Sequence, residues 1–182
     1  TGMERSAIAK DAFHGSSVRR LGHLTWHIAD PTDTVRFWTE GLDFRVSDEL
    51  DDIVWARCDV NHHGFAVAPV PGPPRLHHHA WEVRDVSALA EYCDGLAGQG
   101  LRLLWGPVRH GPGFNIATYL VEPDGACIEV YADLLRIYDE AAYEPIDWGT
   151  DVEAALDLWG VGVPGGMMEA GALVLPPTTT GG

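Results

Sequence analysis

Cationic residues are few and scattered in this chain of 182 residues. Lysine occurs once, at Lys10, and 12 Lys and Arg residues face 27 Asp and Glu residues, which gives a formal net charge of −15. Proteins that bind nucleic acid or an anionic membrane surface present clusters of cations to the phosphates. The composition therefore argues against both kinds of partner.

Cysteines and long apolar runs are scarce as well. The three cysteines, Cys58, Cys93 and Cys127, are odd in number and far apart, which argues against a disulfide framework and a thiolate metal site. No apolar stretch reaches the roughly 18 residues that a bilayer-spanning helix needs, and the start lacks the charged and apolar regions of a signal peptide. These absences predict a soluble protein of a reducing cytoplasm.

The prolines at 71–74 separate two segments that have the same order of predicted elements. In the first, a strand from Leu21 to Ile28 precedes a short helix that Gly41 ends, and three β-like runs follow at 43–46, 53–58 and 64–70. In the second, a strand from His77 to Val83 precedes an amphipathic helix, and strands follow at 102–105, 115–121 and 127–131. The chain is therefore predicted to hold two βαβββ modules, at 20–70 and 76–132.

An α+β fold follows from this order of elements. Neither module could bury both faces of its sheet alone, so the two should pack into one open, barrel-like domain over residues 18–135 with a shared cavity. Residues 1–17 show no period and are predicted to form a loosely held arm. The aromatic-rich residues 136–182 are predicted to form a C-terminal arm, which packs on the domain or on a neighbouring subunit of a homo-oligomer.

Three polar side chains in the predicted strands are candidates for a metal site. His23 and His78 stand in the first strand of each module, and equivalent strands of two pseudo-symmetric modules face each other across the cavity. Glu129 stands in the last strand, where a carboxylate that points inward needs a partner. A single histidine in a strand is more often structural, but two imidazoles and one carboxylate form the facial ligand set of non-haem iron(II) oxygenases.

These residues stand in segments that resemble the vicinal oxygen chelate superfamily and, within it, the type I extradiol dioxygenases, over residues 20–132. The resemblance lies in Leu-Gly-His at 21–23, Leu-His-His-His-Ala-Trp-Glu-Val at 76–83 and Ile-Glu-Val-Tyr at 128–131. It implies that His23, His78 and Glu129 hold Fe(II), and that the enzyme opens a catechol ring beside its two hydroxyls with O2. The catechol would bind the metal through two oxygens while dioxygen takes a third position.

The resemblance extends to three further residues. Asn-His-His-Gly-Phe-Ala-Val at 61–67 resembles the paired-histidine strand of the family, which implies an acid and base role for His63. His110 and Tyr119 resemble the histidine and tyrosine that flank bound substrate and oxygen, where they would donate hydrogen bonds to developing negative charge. Glyoxalases share the fold but lack this whole set.

Other polar residues are given weaker roles by the sequence. Alternation along the strand turns His77 and His79 away from the face of His78, and His62 is likewise predicted to be structural. His27 is left without a role. Arg109, in a proline-flanked loop at 106–113, is a candidate partner for a substrate carboxylate, although a surface arginine is the more common interpretation.

The resemblance to the family has one departure, and two alternatives stay open. Larger members carry an additional pair of modules, so this chain resembles the compact single-domain group, which includes enzymes that open L-DOPA (3,4-dihydroxyphenylalanine); L-DOPA or a related catechol is the expected substrate. A metal-dependent isomerase or lyase of the glyoxalase kind would normally use a fourth protein ligand and a metal such as Zn or Ni. An antibiotic-binding protein of the same fold would leave the His, His, Glu set unexplained.

Overall fold

The computed structural model describes residues 18–123 and 125–173. The predicted N-terminal arm, residues 1–17, lies outside the described residues, as does the end of the predicted C-terminal arm from residue 174 onward.

The first module contains one helical segment and four strands. Its elements are β1 (Val18–Ile28), α1 (Thr32–Arg36) with a π-helical turn (Phe37–Gly41), β2 (Arg45–Leu50), β3 (Ile53–Arg57) and β4 (Phe65–Pro69). The second module repeats this order with β5 (Arg75–Val83), α2 (Val86–Gly98), β6 (Trp105–Arg109), β7 (Ile116–Val121) and β8 (Cys127–Ala132). Asp85 begins α2, since its side chain accepts a hydrogen bond from the Ala88 amide. The predicted α+β class and the repeated βαβββ order are confirmed.

The strands of both modules form a single open sheet with a repeated pairing pattern. Its order is β6-β7-β8-β5-β1-β4-β3-β2, followed by a short strand β9 (Ile146–Asp147). In each module the first strand pairs in parallel with the fourth, and the remaining neighbours are antiparallel. The antiparallel pair β1–β5 joins the modules, so the first strands of both lie side by side at the centre.

The position of the sixth strand corrects the sequence prediction. The strand expected at 102–105 begins instead at Trp105 and runs to Arg109, through the segment that was expected to be a proline-flanked loop. Pro107 has no amide hydrogen, which would weaken a central strand, but β6 lies at the edge of the sheet and its register with β7 shifts between Trp105 and Val108. An edge strand with an irregularity can therefore accommodate the proline.

Residues after β8 run back across the sheet and pair with it twice. β9 extends the sheet beside β2, α3 (Val152–Leu156) follows, and β10 (Ala172–Leu173) pairs with β5. Met167 is buried against the core of the second module. The division of the chain into a domain and a C-terminal arm stays a prediction.

The two faces of the sheet have different chemistry. Apolar side chains of each module pack on one face with the helix of that module: Ala88 and Leu89 of α2 contact Val130, for example. Because alternate residues of a strand point to opposite faces, Glu129 points to the other face. Within the described residues, none of the helices combines the length and apolar character that crossing a membrane requires.

Candidate metal centre

The face of the sheet away from the helices encloses a cleft that both modules line. The cleft holds about 680 Å³ of empty space, part of it open to solvent. β1 contributes His23, Thr25 and His27 to its wall, as expected for residues that alternate along a strand. Residues after β8 cover another side with Leu156 and Met167. The cleft therefore lies at the junction of the two modules.

His23, His78 and Glu129 converge at the centre of this cleft. Nε2 of each histidine lies 3.1 Å from Oε2 of Glu129, and the two Nε2 atoms lie 3.3 Å apart. All three side chains are buried, and their donor atoms could bind one metal ion. The structure thus brings together the three residues that the sequence predicted as ligands.

The distances among these atoms fit a facial metal site. Three ligand atoms on one face of an octahedron, each about 2.1 Å from the ion, lie about 3.0 Å from one another. The donor set of two imidazoles and one carboxylate suits a divalent transition metal better than Ca²⁺ or Mg²⁺, which prefer oxygen ligands. Burial opposes ionisation of Glu129, but the nearby His23 and His78 hold its pKa well below the ordinary value, so the carboxylate is ready to bind a cation.

Each carboxylate oxygen of Glu129 has its own set of neighbours. Asn115 donates from Nδ2 to Oε1 over 2.8 Å, which fixes the plane of the carboxylate and leaves Oε2 toward the histidines. The Tyr119 hydroxyl donates to Oε2 over 2.9 Å. The sequence prediction missed Asn115, although a buried amide directly before a strand of apolar residues was a signal that it has a buried partner.

His78 is oriented by the histidine that precedes it. Its Nδ1 lies 2.7 Å from Nδ1 of His77, and Nε2 of His77 lies 2.7 Å from the Met167 carbonyl oxygen. Because a carbonyl can only accept, His77 donates from Nε2 and accepts at Nδ1 from His78. Nε2 of His78 is then unprotonated and faces the other ligands, as metal binding requires.

The role of His77 corrects a sequence prediction. His77 was expected to point away from the face of His78, but it lines the cleft and stacks on His27 with ring centroids 4.2 Å apart. The reason is an irregularity in β5: the register with β1 shifts between the pairs Thr25–His78 and Trp26–Leu76, which breaks the alternation at His77. His79 does point away, and it accepts a hydrogen bond from the Trp81 indole.

His110 and Tyr119 lie side by side in the cleft. Nδ1 of His110 donates to the Leu156 carbonyl, and its Nε2 lies 2.7 Å from the Tyr119 hydroxyl oxygen. Burial lowers the pKa of His110, so the ring carries one proton, which the carbonyl holds on Nδ1. Burial, together with Glu129, raises the pKa of Tyr119 well above its usual value, so this hydroxyl stays protonated.

His63 lies in the cleft beside the proposed ligands, with its ring centroid 4.3 Å from that of His23. Its Nδ1 contacts Nδ1 of His62 over 2.9 Å, and Nε2 of His62 lies 3.0 Å from Oδ2 of Asp48. His62 was predicted to be merely structural and Asp48 was not singled out. The structure places both in one chain of contacts that ends in the cleft.

Arg109 is the predicted site residue that the structure does not bring to the cleft. Its guanidinium donates to a carboxylate oxygen of Asp133 over 2.9 Å and to the Phe114 carbonyl, and it lies over the ring of Trp159. These contacts hold the cation on the outer side of β6. Arg109 is therefore already paired and does not face a ligand in the cleft.

Comparison with known proteins identifies a superfamily and several curated relatives that are named as catechol-cleaving enzymes. The family model described as Glyoxalase/Bleomycin resistance protein/Dioxygenase superfamily matches residues 20–130. The chain is 30% identical over 167 residues to metapyrocatechase 2 of Cupriavidus necator, which covers 90% of this chain and 51% of that protein. It is 23% identical to an iron-dependent extradiol dioxygenase of Rhodococcus jostii (82% and 59% covered) and 25% identical to a manganese-dependent 2,3-dihydroxybiphenyl 1,2-dioxygenase of Geobacillus genomosp. 3 (86% and 53%).

Solved structures with a similar fold include a ring-cleaving dioxygenase and a glyoxalase. Homoprotocatechuate 2,3-dioxygenase from Arthrobacter globiformis superposes with a TM-score of 0.78 at 27% identity, over 89% of this chain and 52% of that one. A Mn(II)-bound glyoxalase from Novosphingobium aromaticivorans superposes with a TM-score of 0.75 at 31% identity, over 87% and 52%. The chain spans about half the length of the curated relatives that it matches.

Proposed function

Since this chain belongs to the Glyoxalase/Bleomycin resistance protein/Dioxygenase superfamily, we propose that it is a metal-dependent extradiol dioxygenase, which inserts both atoms of O2 into a catechol and opens the ring to a semialdehyde. The observation that carries the proposal is the buried His23, His78 and Glu129 set, whose donor atoms lie 3.1 to 3.3 Å apart in a cleft that both modules line. The extradiol relatives support it.

We propose Fe(II) as the metal, held by His23, His78 and Glu129. When bound, this ion supplies Lewis acidity toward the catechol oxygens and a route for electrons from the ring to dioxygen. Iron is named for one relative and manganese for another, so the reconstitution below uses both metals.

His63 is the proposed acid and base. Burial lowers its pKa well below the ordinary value, so the imidazole is neutral and able to take a proton from a catechol hydroxyl. It lies on the side of the cleft next to His23. The same ring can return the proton to an oxygen of the intermediate as the ring opens.

We propose that the Tyr119 hydroxyl donates a hydrogen bond to an oxygen atom of the substrate or to an oxygen atom that comes from O2. Its single hydrogen has two acceptors in the structure, Oε2 of Glu129 and Nε2 of His110. When Glu129 binds a metal through Oε2, the hydroxyl can turn toward an oxygen that gains negative charge. His110 holds Tyr119 in place, and it can itself donate from Nε2 only after gaining a second proton.

The cleft favours a catechol whose ring substituent is uncharged. Within the described residues, neither Lys nor Arg lines it, while Ile53, Trp55, Leu156 and Val163 contribute apolar surface. L-DOPA would bring a carboxylate, which needs a cationic partner when it leaves water. We therefore propose that methyl- or aryl-substituted catechols are better substrates than L-DOPA.

The second candidate is a metal-dependent isomerase or lyase, which the likeness to the Mn(II)-bound glyoxalase favours. Such an enzyme would normally use a fourth protein ligand. His63 stands beside His23 in this cleft, but in the described part of the chain the residues whose ligand atoms cluster for one ion are His23, His78 and Glu129.

Anaerobic reconstitution tests the proposed function. The full chain is loaded with Fe(II) or Mn(II), metal binding is measured, and air is admitted with a panel that includes catechol, 3-methylcatechol, 2,3-dihydroxybiphenyl, dihydroxyphenylacetate and L-DOPA. Oxygen uptake with a yellow ring-opened product is the expected result. Metal-loaded protein that consumes no oxygen with any member of the panel overturns the dioxygenase proposal. Conversion of a glutathione hemithioacetal by the same sample would favour the isomerase.

A further inference from the structure

Two pairs of consecutive histidines have the same internal contact in the two modules. In His62–His63 the Nδ1 atoms lie 2.9 Å apart, and in His77–His78 they lie 2.7 Å apart. In each pair the second histidine, His63 or His78, lies next to the proposed metal ligands or is one of them. The first histidine, His62 or His77, has a further partner. The partner of His77 is a neutral carbonyl, whereas that of His62 is the carboxylate of Asp48, at 3.0 Å.

Asp48 is a fully buried carboxylate with a complete set of donors. Oδ1 accepts from the Tyr143 hydroxyl and the Ile146 amide, both at 3.0 Å, and Oδ2 accepts from the Trp148 indole at 2.8 Å. Burial disfavours the charge, but the neighbouring His62 and the hydrogen bonds from these donors hold the pKa of Asp48 below its ordinary value. The ionised carboxylate can only accept hydrogen bonds.

The contact between His62 and Asp48 favours one arrangement of protons on the two rings. Nε2 of His62 lies 3.0 Å from Oδ2 of Asp48 without meeting full hydrogen-bond geometry, and because the carboxylate can only accept, the contact favours a proton on Nε2 of His62. When each ring carries one proton, Nδ1 of His62 then has a free lone pair and accepts from Nδ1 of His63. The remaining nitrogen of His63, Nε2, is left unprotonated on the ring edge away from His62, and this ring lines the cleft.

We propose that Asp48 and His62 are positioning residues, which hold His63 in the tautomer whose Nε2 is free to take a proton in the cleft. The base role of His63 rests on the proposed function, but the tautomer does not. A neutral imidazole in the opposite tautomer would present an N–H to a catechol hydroxyl and could not act as a base.

The tautomer is measured directly by NMR. Side-chain ¹⁵N shifts of the histidines are recorded on the full chain, first without metal and then with diamagnetic Zn²⁺ added, at neutral pH. The expected result is that His63 carries its proton on Nδ1 and that His62 carries one proton, on Nε2. A proton on Nε2 of His63, or two protons on His62, overturns the proposal whether or not the protein oxidises catechols.

Two substitutions at His62 separate positioning from a merely structural role. In His62→Asn the side-chain oxygen occupies the place of Nδ1 and can still accept from His63, whereas the link to Asp48 is lost. In His62→Gln the amide reaches the place of Nε2 and can still donate to Asp48, whereas His63 loses its acceptor. We expect the Asn variant to keep His63 in its native tautomer and to retain at least tenfold more turnover than the Gln variant. Equal turnover, or more turnover in the Gln variant, contradicts the proposal.

Asp48→Asn supplies a further test. An amide nitrogen facing His62 forces that ring to accept at Nε2 and to donate from Nδ1, which moves the proton of His63 to Nε2. The expected result is the reversed tautomer in the NMR spectrum, with metal content unchanged and kcat lowered more than KM is changed. An unchanged tautomer in a folded Asp48→Asn protein overturns the role of Asp48; if this variant does not fold, the two His62 variants decide the proposal.

Discussion

Asn115 holds the carboxylate of Glu129 by one oxygen, since its amide nitrogen donates to Oε1 over 2.8 Å. The other oxygen, Oε2, is thereby turned toward His23 and His78, 3.1 Å from Nε2 of each. Glu129 is buried within β8, and Tyr119 is the other side chain that donates to it, at Oε2 over 2.9 Å. The proposed metal site therefore depends on four side chains, of which Asn115 would orient a ligand without binding the ion itself.

Replacement of Asn115 by leucine should weaken metal binding. The substitution keeps the branched shape of the side chain, although leucine is larger, and removes the hydrogen bond that orients Glu129. Loss of such a partner typically costs ten- to a hundredfold in metal affinity. Competition with a chromogenic chelator measures the change for Fe(II) or Mn(II). Thr118→Val, on the opposite face of β7, is the matched control and should leave the affinity unchanged; equal affinities in both variants would contradict the assignment.

Substitution at His63 and at Glu129 should separate turnover from metal retention. His63→Phe is expected to keep the metal but to lose most of its turnover, because it removes the proposed base and no ligand. Glu129→Gln is expected to lose the metal, because a neutral amide replaces the only anionic ligand of the set. Metal content after dialysis and oxygen uptake test both expectations. An equal loss of metal in the two variants would show that the assigned roles are wrong.

Gly22 has a steric role that a stability measurement can test. A Cβ atom at this position would lie 1.8 Å from the hydroxyl oxygen of Tyr131. Tyr131 is fully buried, so Gly22→Ala should lower the free energy of unfolding by about 1 to 3 kcal/mol, as overpacking in a core does. Urea denaturation measures the loss. Gly64→Ala is the control, because a Cβ there has nothing within 4 Å, and a similar loss in both variants would rule out a local clash.

The stability of the metal-free protein should fall in acid because of His27. Burial, the neighbouring His77 and Arg75 lower the pKa of His27 to about 3, against 6.5 for the unperturbed group. The unfolded chain therefore binds a proton at this residue between pH 6.5 and about 3 that the folded chain does not, and stability decreases as the pH falls through this window. The contribution is at most about 1.4 kcal/mol per pH unit and vanishes above pH 6.5.

His27→Phe tests this expectation. The aromatic ring can keep the contact with His77 but cannot titrate, so the dependence of the unfolding free energy on pH should become less steep between pH 6.5 and 4. Denaturation curves at several pH values give the slope. A slope equal to that of the unsubstituted protein would mean that His27 does not titrate in this range.

The repeated fold could be predicted from the sequence because its signals are local and occur twice. The prolines at 71–74 and the two helices each followed by three short apolar runs defined both modules. The position of β6 could not be predicted in this way, since Pro107 is a loop signal unless the strand lies at an edge. That position is a property of the whole sheet.

The same distinction applies to the site. His23, His78 and Glu129 could be predicted because each stands at an equivalent or alternating position of a strand. The partners of these residues were harder to foresee. Asp48 contacts both His62 and the returning chain at Trp148, about a hundred residues later, and His77 turns to the cleft through an irregularity in β5.

The two imidazoles of the site come from β1 and β5, the antiparallel pair through which the modules meet. An ion bound there would link the two modules as well as take part in the reaction, because it would join the first strand of one module to the first strand of the other. Part of the binding free energy of the metal would then resist separation of the two repeats. Neither repeat, taken by itself, possesses a complete set of ligands.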